Sequence, residues 1–350
     1  AKKAPNIAGQ GLLYFSSKFK LNPHEPVEII YKIMNDDKEK IEFNLKYKLP
    51  EPYYLSTFGS IKTKNVDTFS LLNIFSQNKL ESITSLITIL IVLSVFVFSN
   101  RITKNRKLFS YFRIFMLFWV SIVIGFYLGG QISIIHFVNL FKSIFLGGGS
   151  LLTFFIEPII FLFGITTIIS LFFWGRALFC GWLCPFGALQ ELLSTISKKI
   201  GIKQKSFKQQ LDHYIRYLKY ILLAIIFSFS FIEMSIANIF YNIEPFKTAI
   251  TLRFMAPASA VIWASFLLII CLFIERFFCR YLCPLGAGLG LLGKVRILDF
   301  LKRRKECGNP CIACNKVCPT GAIKPSGKII MSECLGCLDC QVMYNDYKKC

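Results

Sequence analysis

Long apolar runs constrain this chain more than any other feature, because they are long enough to cross the hydrocarbon core of a bilayer, which is about 30 Å thick. Hydrophobic residues make up 54% of the sequence, which is above the share typical of a soluble domain. Spans are predicted over residues 82–99, 112–130, 150–174, 216–236 and 259–278. The fold class expected is a polytopic α-helical membrane protein with about five spans in this chain.

The basic residues predict how these spans are oriented. The formal net charge is +21, and the lysines and arginines concentrate in the loops at 100–113 and 191–219. The loops at 131–149 and 237–258 carry few charges, and both are expected on the outer side. Because cytoplasmic loops are enriched in Lys and Arg, the basic loops predict an N-terminus outside and a C-terminus inside. Basic residues gathered beside apolar spans report orientation, so nucleic-acid binding is not expected.

Residues 1–81 are polar and are expected to form an extracytoplasmic β-rich segment. VEIIYKIM, from Val27 to Met34, reads as a strand, and KIEFNLKYKL alternates apolar with polar residues, the period of a half-buried strand. The chain starts at Ala1 without an initiator methionine and ends at Cys350 inside an unfinished motif. We therefore expect a fragment of a longer protein, with this segment as the end of a larger domain.

A duplicated cysteine motif lies in the transmembrane domain, residues 82–293, and follows two of the apolar runs. FCGWLCPFGALQELL begins at Phe179 and FCRYLCPLGAGLGLL begins at Phe278. In each copy two cysteines four residues apart are followed by proline, which fits the first turn of a new helix. This internal repeat predicts two halves related by a twofold axis along the membrane normal.

The repeat would bring both cysteine pairs to one side of the bilayer. The pairs are Cys180 with Cys184 and Cys279 with Cys283. Together they are candidates for one thiolate site that holds iron, an iron–sulfur group or copper. The alternative is that they are small apolar residues at helix ends, as free cysteines often are, and Cys271 in mid-span is expected to have only that role.

Residues 294–350 have the cysteine pattern of a bacterial ferredoxin, C-x2-C-x2-C-x3-C-P, in which three thiolates hold one cluster and the fourth ligates the other. By this analogy one [4Fe–4S] cluster is assigned to Cys307, Cys311, Cys314 and Cys350. The second cluster is assigned to Cys318, Cys334, Cys337 and Cys340. The first gap has three residues and the last has nine, so two loops depart from the pattern. Structural zinc is the alternative, since two four-cysteine sites also satisfy tetrahedral zinc.

These motifs together resemble those of the NosR/NirI family of membrane iron–sulfur flavoproteins, which is associated with nitrous oxide respiration. The resemblance rests on CGWLCPFGALQELL, on CRYLCPLGA, and on ECLGCLDCQVMYNDYKKC following CGNPCIACNKVCP. It implies an FMN-binding domain upstream of Ala1, with the flavin attached covalently to a threonine, and assigns that flavin to no residue of this chain. It also implies electron delivery that supports the turnover or the copper-site maturation of nitrous oxide reductase.

Inner redox groups, an outer domain and spans between them predict electron transfer across the cytoplasmic membrane. Quinol or a soluble cytoplasmic donor is the expected partner, and the chain is expected to be an electron-transfer component rather than a stand-alone catalyst. Haem is not expected, because there is no C-x-x-C-H motif and the histidines are His24, His136 and His213. A metallocentre assembly factor for a respiratory enzyme is the first alternative, and a redox-sensing regulator is the second.

Two carboxylates in or near the spans are further candidates. Glu157 lies within the third span beside Pro158, and an intramembrane carboxylate is a functional candidate by default. A proton or quinone role is therefore predicted for Glu157. Glu275 lies beside Arg276 near the inner end of the fifth span, where a local ion pair is the simpler interpretation.

Overall fold

The structure is a computed structural model. It describes residues 27–34, 40–47, 75, 78–146, 158–205, 207–232, 244–304, 306–307 and 311–346. Glu157 and Cys350 lie outside the described residues, so their predicted roles stay predictions. Contacts divide the chain into two units, Ala1–Val66 and Asp67–Cys350.

The first unit contains an antiparallel pair of strands, β1 Val27–Met34 and β2 Lys40–Tyr47. Val27 pairs with Tyr47 and Met34 with Lys40, so the register runs without a bulge from one end of the pair to the other. Both strands lie where the apolar and alternating patterns predict them. The larger β-rich, extracytoplasmic character of residues 1–81 stays a prediction.

The described part of the second unit is mainly helical. Its α-helices are α1 Lys79–Val97, α2 Ser99–Ile102, α3 Arg106–Trp119, α4 Ile134–Leu146, α5 Pro158–Phe173, α6 Pro185–Lys199, α7 Gln209–Ile215, α8 Leu218–Ile232, α9 Ala258–Ile270, α10 Phe277–Tyr281, α11 Pro284–Leu292, α12 Ala313–Val317 and α13 Asp339–Asn345. Its π-helical segments are Val120–Tyr127, Phe179–Leu183 and Lys247–Thr251, and a 3-10 turn covers Gly293–Val295.

Among the described residues, two helices are long and apolar enough to cross a membrane. They are α1, with 19 residues, and α3 with its π-helical continuation, with 22 residues over Arg106–Tyr127. Both coincide with the first two predicted spans. The third and fourth predicted spans are helical over α5 and α8, and each of these helices adjoins residues that the structure does not describe.

The fifth predicted span is not one continuous helix, and that part of the prediction was wrong. Helix α9 ends at Ile270, turns follow, and α10 is a separate element. In the turn, the Ser194 hydroxyl of α6 donates to the Cys271 carbonyl at 2.9 Å, and Arg276 adopts a left-handed φ of 52°. The sequence shows an unbroken apolar run here, because hydropathy depends on consecutive residues and not on the Ser194 hydroxyl, which lies 77 residues away in the chain.

The predicted outer loop at 237–258 is a core element where the structure describes it. Phe246 and Ile250 are almost completely buried, and their π-helical turn packs on α6 and on the π-helix that continues α3. The Phe246 ring makes edge-to-face contacts with the rings of Phe186 and Phe278. The outer location of this segment stays a prediction, whereas its low charge did not reveal that its apolar residues pack against helices distant in sequence.

Candidate metal centres

Each copy of the cysteine motif ends one segment and begins a helix. Pro185 is the first residue of α6 and Pro284 is the first residue of α11, and Cys184 and Cys283 are the N-cap residues that precede them. Proline suits this position because the first turn of a helix does not need its missing N–H. The prediction of a new helix after each proline is confirmed.

The second thiol of each motif accepts a backbone hydrogen bond from the helix that follows it. Cys184 Sγ accepts from the Gly187 N–H at 3.4 Å, and Cys283 Sγ accepts from the Gly286 N–H at 3.2 Å. The Gln131 side-chain amide also donates to Cys184 Sγ, at 3.7 Å. Because N–H groups at a helix N-terminus favour negative charge on sulfur, both thiols are positioned to serve as thiolate ligands.

The four motif thiols line one cavity, which we call the four-thiol cavity. Its sulfur ligand candidates are Cys180, Cys184, Cys279 and Cys283. Phe179, Phe246, Leu285 and Leu335 add apolar walls, and Arg176 also reaches it. The structure therefore brings together the two cysteine pairs that the repeat predicts to converge, while metal binding by them stays a prediction.

Two buried arginines tie the copies of the motif to each other. Arg176, which precedes the first motif, donates from Nη1 to the Gly286 carbonyl at 2.9 Å. Arg276, which precedes the second motif, donates from Nη1 to the Cys180 carbonyl at 2.8 Å. Each arginine thus binds the other copy, the reciprocal pattern expected of two halves related by a twofold axis.

A second group of thiols lines another cavity, which we call the cluster cavity. The four cysteines are Cys318, Cys334, Cys337 and Cys340, the same set that the ferredoxin spacing assigns to one cluster. Backbone N–H groups of Ala322 and Gly336 donate to Cys318 Sγ and Cys334 Sγ at 3.3 and 3.4 Å. Burial raises the pKa of Cys334 to about 11, so the free thiol stays protonated at neutral pH, whereas a bound metal deprotonates a coordinating thiol.

The remaining tail cysteines are described in part. Cys307 and Cys311 form an isolated backbone bridge, and Cys314 follows in α12. Burial raises the pKa of Cys314, and the nearby thiols of Cys307 and Cys311 raise it further. The structure therefore places three of the four ligands predicted for the first cluster near one another.

The thiols surround cavities and do not meet at single points. Within the described ranges, no three His, Cys, Asp or Glu side chains lie close enough together to hold one metal ion. A tetrahedral zinc requires four sulfurs about 2.3 Å from one atom, whereas a [4Fe–4S] cluster distributes its cysteine ligands over several irons. The interleaved cysteine spacing of the sequence is the feature that favours a multi-iron cluster over zinc.

Six buried basic side chains lie beside these cavities and share three carboxylates. The bases are Arg113, Arg176, Arg216, Lys219, Arg276 and Arg280, and their carboxylate partners are Glu191, Asp212 and Glu333. Glu244 is also buried, but burial raises its pKa to about 8, so it is mostly neutral at pH 7. The described part of this region therefore holds more positive than negative charge, which is costly unless anions balance it.

The first of these ion networks centres on Glu191. Arg113 Nε donates to Glu191 Oε1 at 2.9 Å and Arg113 Nη2 donates to Oε2 at 3.0 Å, while Arg276 pairs with the same carboxylate. Burial opposes the charge of Glu191, but the two guanidinium groups outweigh it and lower the pKa of Glu191 to about 2. Arg113 also lies 4.0 Å above the Trp182 ring, so this network reaches the first cysteine motif.

The second network joins α7, α8 and α10 to the tail. Lys219 Nζ donates to Glu333 at 2.5 Å, and Arg280 donates to Asp212 at 2.5 Å. Arg216 donates to Asp212 and also to the Thr320 carbonyl, at 2.8 Å. These bonds stabilise the segments that carry Cys318 and Cys334 against the helical domain.

Buried N–H groups of these bases lack hydrogen-bond acceptors. The atoms without a hydrogen-bond partner in the described structure are Arg113 Nη1, Arg176 Nη2, Arg216 Nη1, Arg276 Nε and Arg280 Nε, although Arg176 Nη2 and Arg216 Nη1 lie 3.8 and 3.9 Å from Glu333 Oε2. A buried donor left unpaired costs free energy, more so when it is charged. Anionic sulfur clusters supply both acceptor atoms and negative charge, so the surrounding residues fit iron–sulfur clusters in the cysteine cavities.

The first cysteine motif touches the tail directly at what we call the loop junction, formed by Gly181, Trp182, Leu335 and Gly336. A methyl group at Gly181 would overlap the Leu335 carbonyl oxygen, and one at Gly336 would lie 2.6 Å from Ala177 Cβ. Trp182 Nε1 donates to the Gly336 carbonyl at 2.9 Å. Leu335 lines both the cluster cavity and the four-thiol cavity, so the two candidate centres are neighbours.

The structure also bears on the roles predicted for Glu275 and Cys271. Glu275 is in an ion pair, as predicted, but its partner is Lys198 at 2.7 Å and not a residue nearby in sequence, and the neighbouring Arg276 pairs with Glu191. The left-handed backbone at Arg276 turns its side chain towards α6. Cys271 is fully buried and its thiol donates to the carbonyl of the preceding turn, in agreement with a packing role.

Sequence reasoning missed the acidic partners Glu191, Asp212 and Glu333. Glu191 and Asp212 are acids in a loop counted for its basic residues, and Glu333 directly precedes Cys334. Acidic residues within a basic segment or beside a cysteine motif were the signal in the sequence that could have identified these partners. Trp182 was also missed, and its side chain is buried at the loop junction.

Family models match both parts of the site. A model for NosR matches residues 305–350, and a model for a 4Fe-4S binding domain matches twice, at residues 155–203 and 256–306. Each of the two matches contains one copy of the cysteine motif. The internal repeat predicted from the sequence is therefore confirmed.

Two relatives align with nearly the whole chain and a third with part of it. Protein NirI of Paracoccus denitrificans is 37% identical over 335 residues, 94% of this chain and 48% of that protein. Regulatory protein NosR of Stutzerimonas stutzeri is 34% identical over 360 residues, 100% of this chain and 49% of that protein. A Regulatory protein NosR of Pseudomonas aeruginosa is 57% identical over 72 residues, 21% of this chain and 72% of that protein.

The chain spans about half the length of the first two of these curated relatives. No solved structure matches it. The matches to relatives and to the family model extend over the duplicated cysteine motif and the ferredoxin-like tail. On these findings the chain belongs to the NosR/NirI family.

Proposed function

We propose that this chain transfers electrons through two [4Fe–4S] clusters in its tail, as part of a multi-pass protein of the cytoplasmic membrane. The observation that carries the proposal is the cluster cavity, whose four thiols lie beside an excess of buried positive charge. Bound there, an iron–sulfur cluster supplies reversible one-electron chemistry. Cys318, Cys334, Cys337 and Cys340 would hold one cluster, and Cys307, Cys311, Cys314 and Cys350 would hold the other.

The chain's own residues would set the properties of these clusters. Backbone N–H groups directed at cysteine sulfur stabilise negative charge there, as the Ala322 and Gly336 N–H groups do. Buried cations such as Arg176 favour the reduced, more negative state and therefore raise the reduction potential. Apolar walls such as Leu301 and Ile329 exclude water from the cluster cavity, which strengthens both effects.

The membrane topology proposed has five spans, with the N-terminal segment in the periplasm and the clusters in the cytoplasm. Two apolar helices of sufficient length support insertion. Exposed basic residues such as Lys104, Lys199 and Lys203 support the orientation, because they lie in the two loops expected on the cytoplasmic side. Electrons would then enter from quinol or from a soluble cytoplasmic donor.

The partners proposed follow from the family resemblance. Electrons would pass to an FMN-binding domain in the periplasm and support the activity or maturation of nitrous oxide reductase. Regulation is the second candidate, favoured by the name Regulatory protein NosR that relatives carry. In a strain lacking the protein, a normal level of client transcript and protein with missing metal supports maturation, normal metal with lost turnover supports electron supply, and a lowered transcript level supports regulation.

Metal analysis of protein purified without oxygen tests the proposed clusters. We expect at least about eight iron and eight sulfide per chain, from two cubanes, with a paramagnetic signal after reduction by dithionite. Replacing Cys337 by serine removes one cluster ligand and is expected to lower the iron by about four. Cys271→Ser is the matched control, because this fully buried thiol lines neither cavity and its loss should leave the iron unchanged. Zinc in place of iron, or an unchanged iron content in C337S, would contradict the proposal.

A further inference from the structure

We propose that the four-thiol cavity holds a third redox centre, an iron–sulfur group, which exchanges electrons with the second tail cluster through the loop junction. This inference rests on the proposed function, because the junction needs an electron carrier in the cluster cavity. A 4Fe-4S binding-domain model covers each copy of the motif; the inference adds that the two copies share one centre and that a route leads from the tail to it.

The donors of the four-thiol cavity are chemically suited to iron–sulfur ligation. Soft thiolate ligands select iron–sulfur groups, zinc or Cu(I), and four thiols face this one space. Two of them, Cys184 and Cys283, each accept a backbone N–H, as the thiols of Cys318 and Cys334 do in the cluster cavity. The match of a 4Fe-4S binding-domain model to each copy of the motif favours an iron–sulfur group over zinc or Cu(I).

Charge at the cavity points to an anionic occupant. Arg176 lines the cavity, and Arg276 holds the Cys180 backbone beside it. The carboxylate that pairs with Arg276 is shared with Arg113, so that one negative charge serves two buried cations. Arg276 Nε and Arg176 Nη2 have no hydrogen-bond acceptor in the described structure. A thiolate-ligated iron–sulfur group would supply the missing negative charge at this position.

Apolar walls complete the cavity. Phe246, which directly precedes the π-helical turn Lys247–Thr251, lines the cavity, and so do Phe179 and Leu285 of the two motifs. The phenyl rings of Phe246, Phe186 and Phe278 pack edge to face and form a rigid layer beside the thiols. A site closed by such residues excludes water and protects a redox centre from solvent.

The loop junction offers a short route between the two centres. Leu335 follows Cys334 of the cluster cavity, and Gly181 follows Cys180 of the four-thiol cavity. The Leu335 carbonyl oxygen lies where a side chain at Gly181 would begin, so one van der Waals contact joins two residues that each adjoin a ligand. Only glycine at position 181 allows this approach, and the Trp182–Gly336 hydrogen bond fixes the loops in register.

The step proposed at the junction transfers one electron between two iron centres. One electron would leave the reduced cluster bound through Cys334 and enter the oxidised group bound through Cys180, so that one iron centre is oxidised as another is reduced. No covalent bond changes in the step. The reverse transfer uses the same contact, so the direction depends on the relative potentials of the two centres.

A count of iron and sulfide tests whether the third centre exists. We expect wild-type protein purified without oxygen to contain iron and sulfide above the eight of each that two cubanes supply. Cys283→Ser should remove only this excess, and Cys271→Ser should remove none. The inference is overturned if the wild type contains no more than eight irons, or if copper or zinc is lost from C283S instead of iron. Eight irons alone would leave the proposed function standing, whereas absence of all clusters would end both.

Magnetic coupling tests the route. In wild-type protein with both centres reduced and paramagnetic, we expect the signal of the second cluster to be split by the third centre, because spin coupling acts only over a short separation. In Gly181→Ala the added methyl group must push the loops apart, so the splitting should be lost while the iron content is retained. Gly288→Ala is the matched control, since its methyl group would meet only the Leu223 side chain at 3.8 Å and should leave the splitting intact.

A second variant covers the case in which Gly181→Ala fails to assemble. Trp182→Phe keeps an aromatic ring beside Arg113 but removes the N–H that binds the Gly336 carbonyl. It should retain the metals and narrow the splitting. Wild-type protein with excess iron but no splitting, or splitting unchanged in an assembled Gly181→Ala or Trp182→Phe variant, would overturn the route through the loop junction.

Discussion

Glu191→Ala is expected to lower the apparent unfolding temperature of the purified protein by roughly 10 °C at a fixed heating rate. The substitution leaves the guanidinium groups of Arg113 and Arg276 without their shared carboxylate. Both cations are buried, and removing one partner of a buried ion pair typically costs about 3–5 kcal/mol. Thermal unfolding in detergent, followed by circular dichroism, measures the effect.

A matched control is the ion pair between Lys198 and Glu275. Lys198 Nζ and Glu275 Oε2 lie 2.7 Å apart, but the Lys198 side chain is 48% exposed. Because exposed pairs contribute at most about 1 kcal/mol, Glu275→Ala should change the unfolding temperature by a few degrees at most. Equal effects of Glu191→Ala and Glu275→Ala would show that the Glu191 network does not stabilise the fold beyond an ordinary surface pair.

The Glu191 network also predicts a pH dependence. Burial opposes its charge, but Arg113 and Arg276 lower the pKa of Glu191 to about 2 from its usual 4.5. The stabilisation is therefore fully present above about pH 4.5 and is lost as the pH falls towards 2. We expect the difference in unfolding temperature between wild type and Glu191→Ala to be constant from pH 7 to 5 and to shrink between pH 4 and 3. A difference that grows in acid would contradict this assignment of the charge.

Local sequence signals predicted the cysteine motifs well. The proline after Cys184 and after Cys283 predicts a helix start, and both helices begin there. These features depend on the backbone chemistry of a few consecutive residues, namely a missing N–H and an N-terminal N–H group that binds sulfur. The ferredoxin spacing likewise predicted which thiols share the cluster cavity, because ligand order is a property of the chain.

Long-range partners decided the features that the sequence did not predict. Arg113, Arg216 and Lys219 belong to the basic loops that predict the cytoplasmic side, and the structure shows that all three are buried in ion pairs. Composition reports that a basic residue is present near an apolar run, and it does not report a carboxylate that is distant in sequence. Arg216 and Lys219 lie at the ends of α7 and α8, beside the tail, whereas Arg113 lies within α3.

The loop junction shows the same limit. Gly181 was one residue within a motif, and nothing in the sequence assigns it a partner. Its role follows from the Leu335 carbonyl, which approaches so closely that no side chain fits. A glycine between two cysteines is compatible with many loop conformations. Only the contact with the Leu335 carbonyl explains why position 181 needs glycine.

The reduction potential of the second tail cluster should depend on the charge of Arg176. Arg176 Nε donates to the Cys334 carbonyl at 3.4 Å and its side chain lines the adjacent four-thiol cavity. Arg176→Gln removes a buried positive charge, which destabilises the more negative reduced cluster and lowers its potential by on the order of 50–100 mV. A redox titration monitored by electron paramagnetic resonance measures the shift, with iron content as the check on assembly.

Arg176→Lys separates charge from hydrogen bonding. Lysine keeps the positive charge. It lacks the planar guanidinium group with which Arg176 donates to both the Gly286 carbonyl and the Cys334 carbonyl. If charge sets the potential, the lysine variant should retain most of the wild-type value while the glutamine variant shifts. Glu333 keeps its 2.5 Å contact with Lys219 in both variants, so neither leaves that carboxylate unpaired. An equal shift in both variants would assign the effect to geometry, and no shift in Arg176→Gln would remove Arg176 from the groups that tune the cluster.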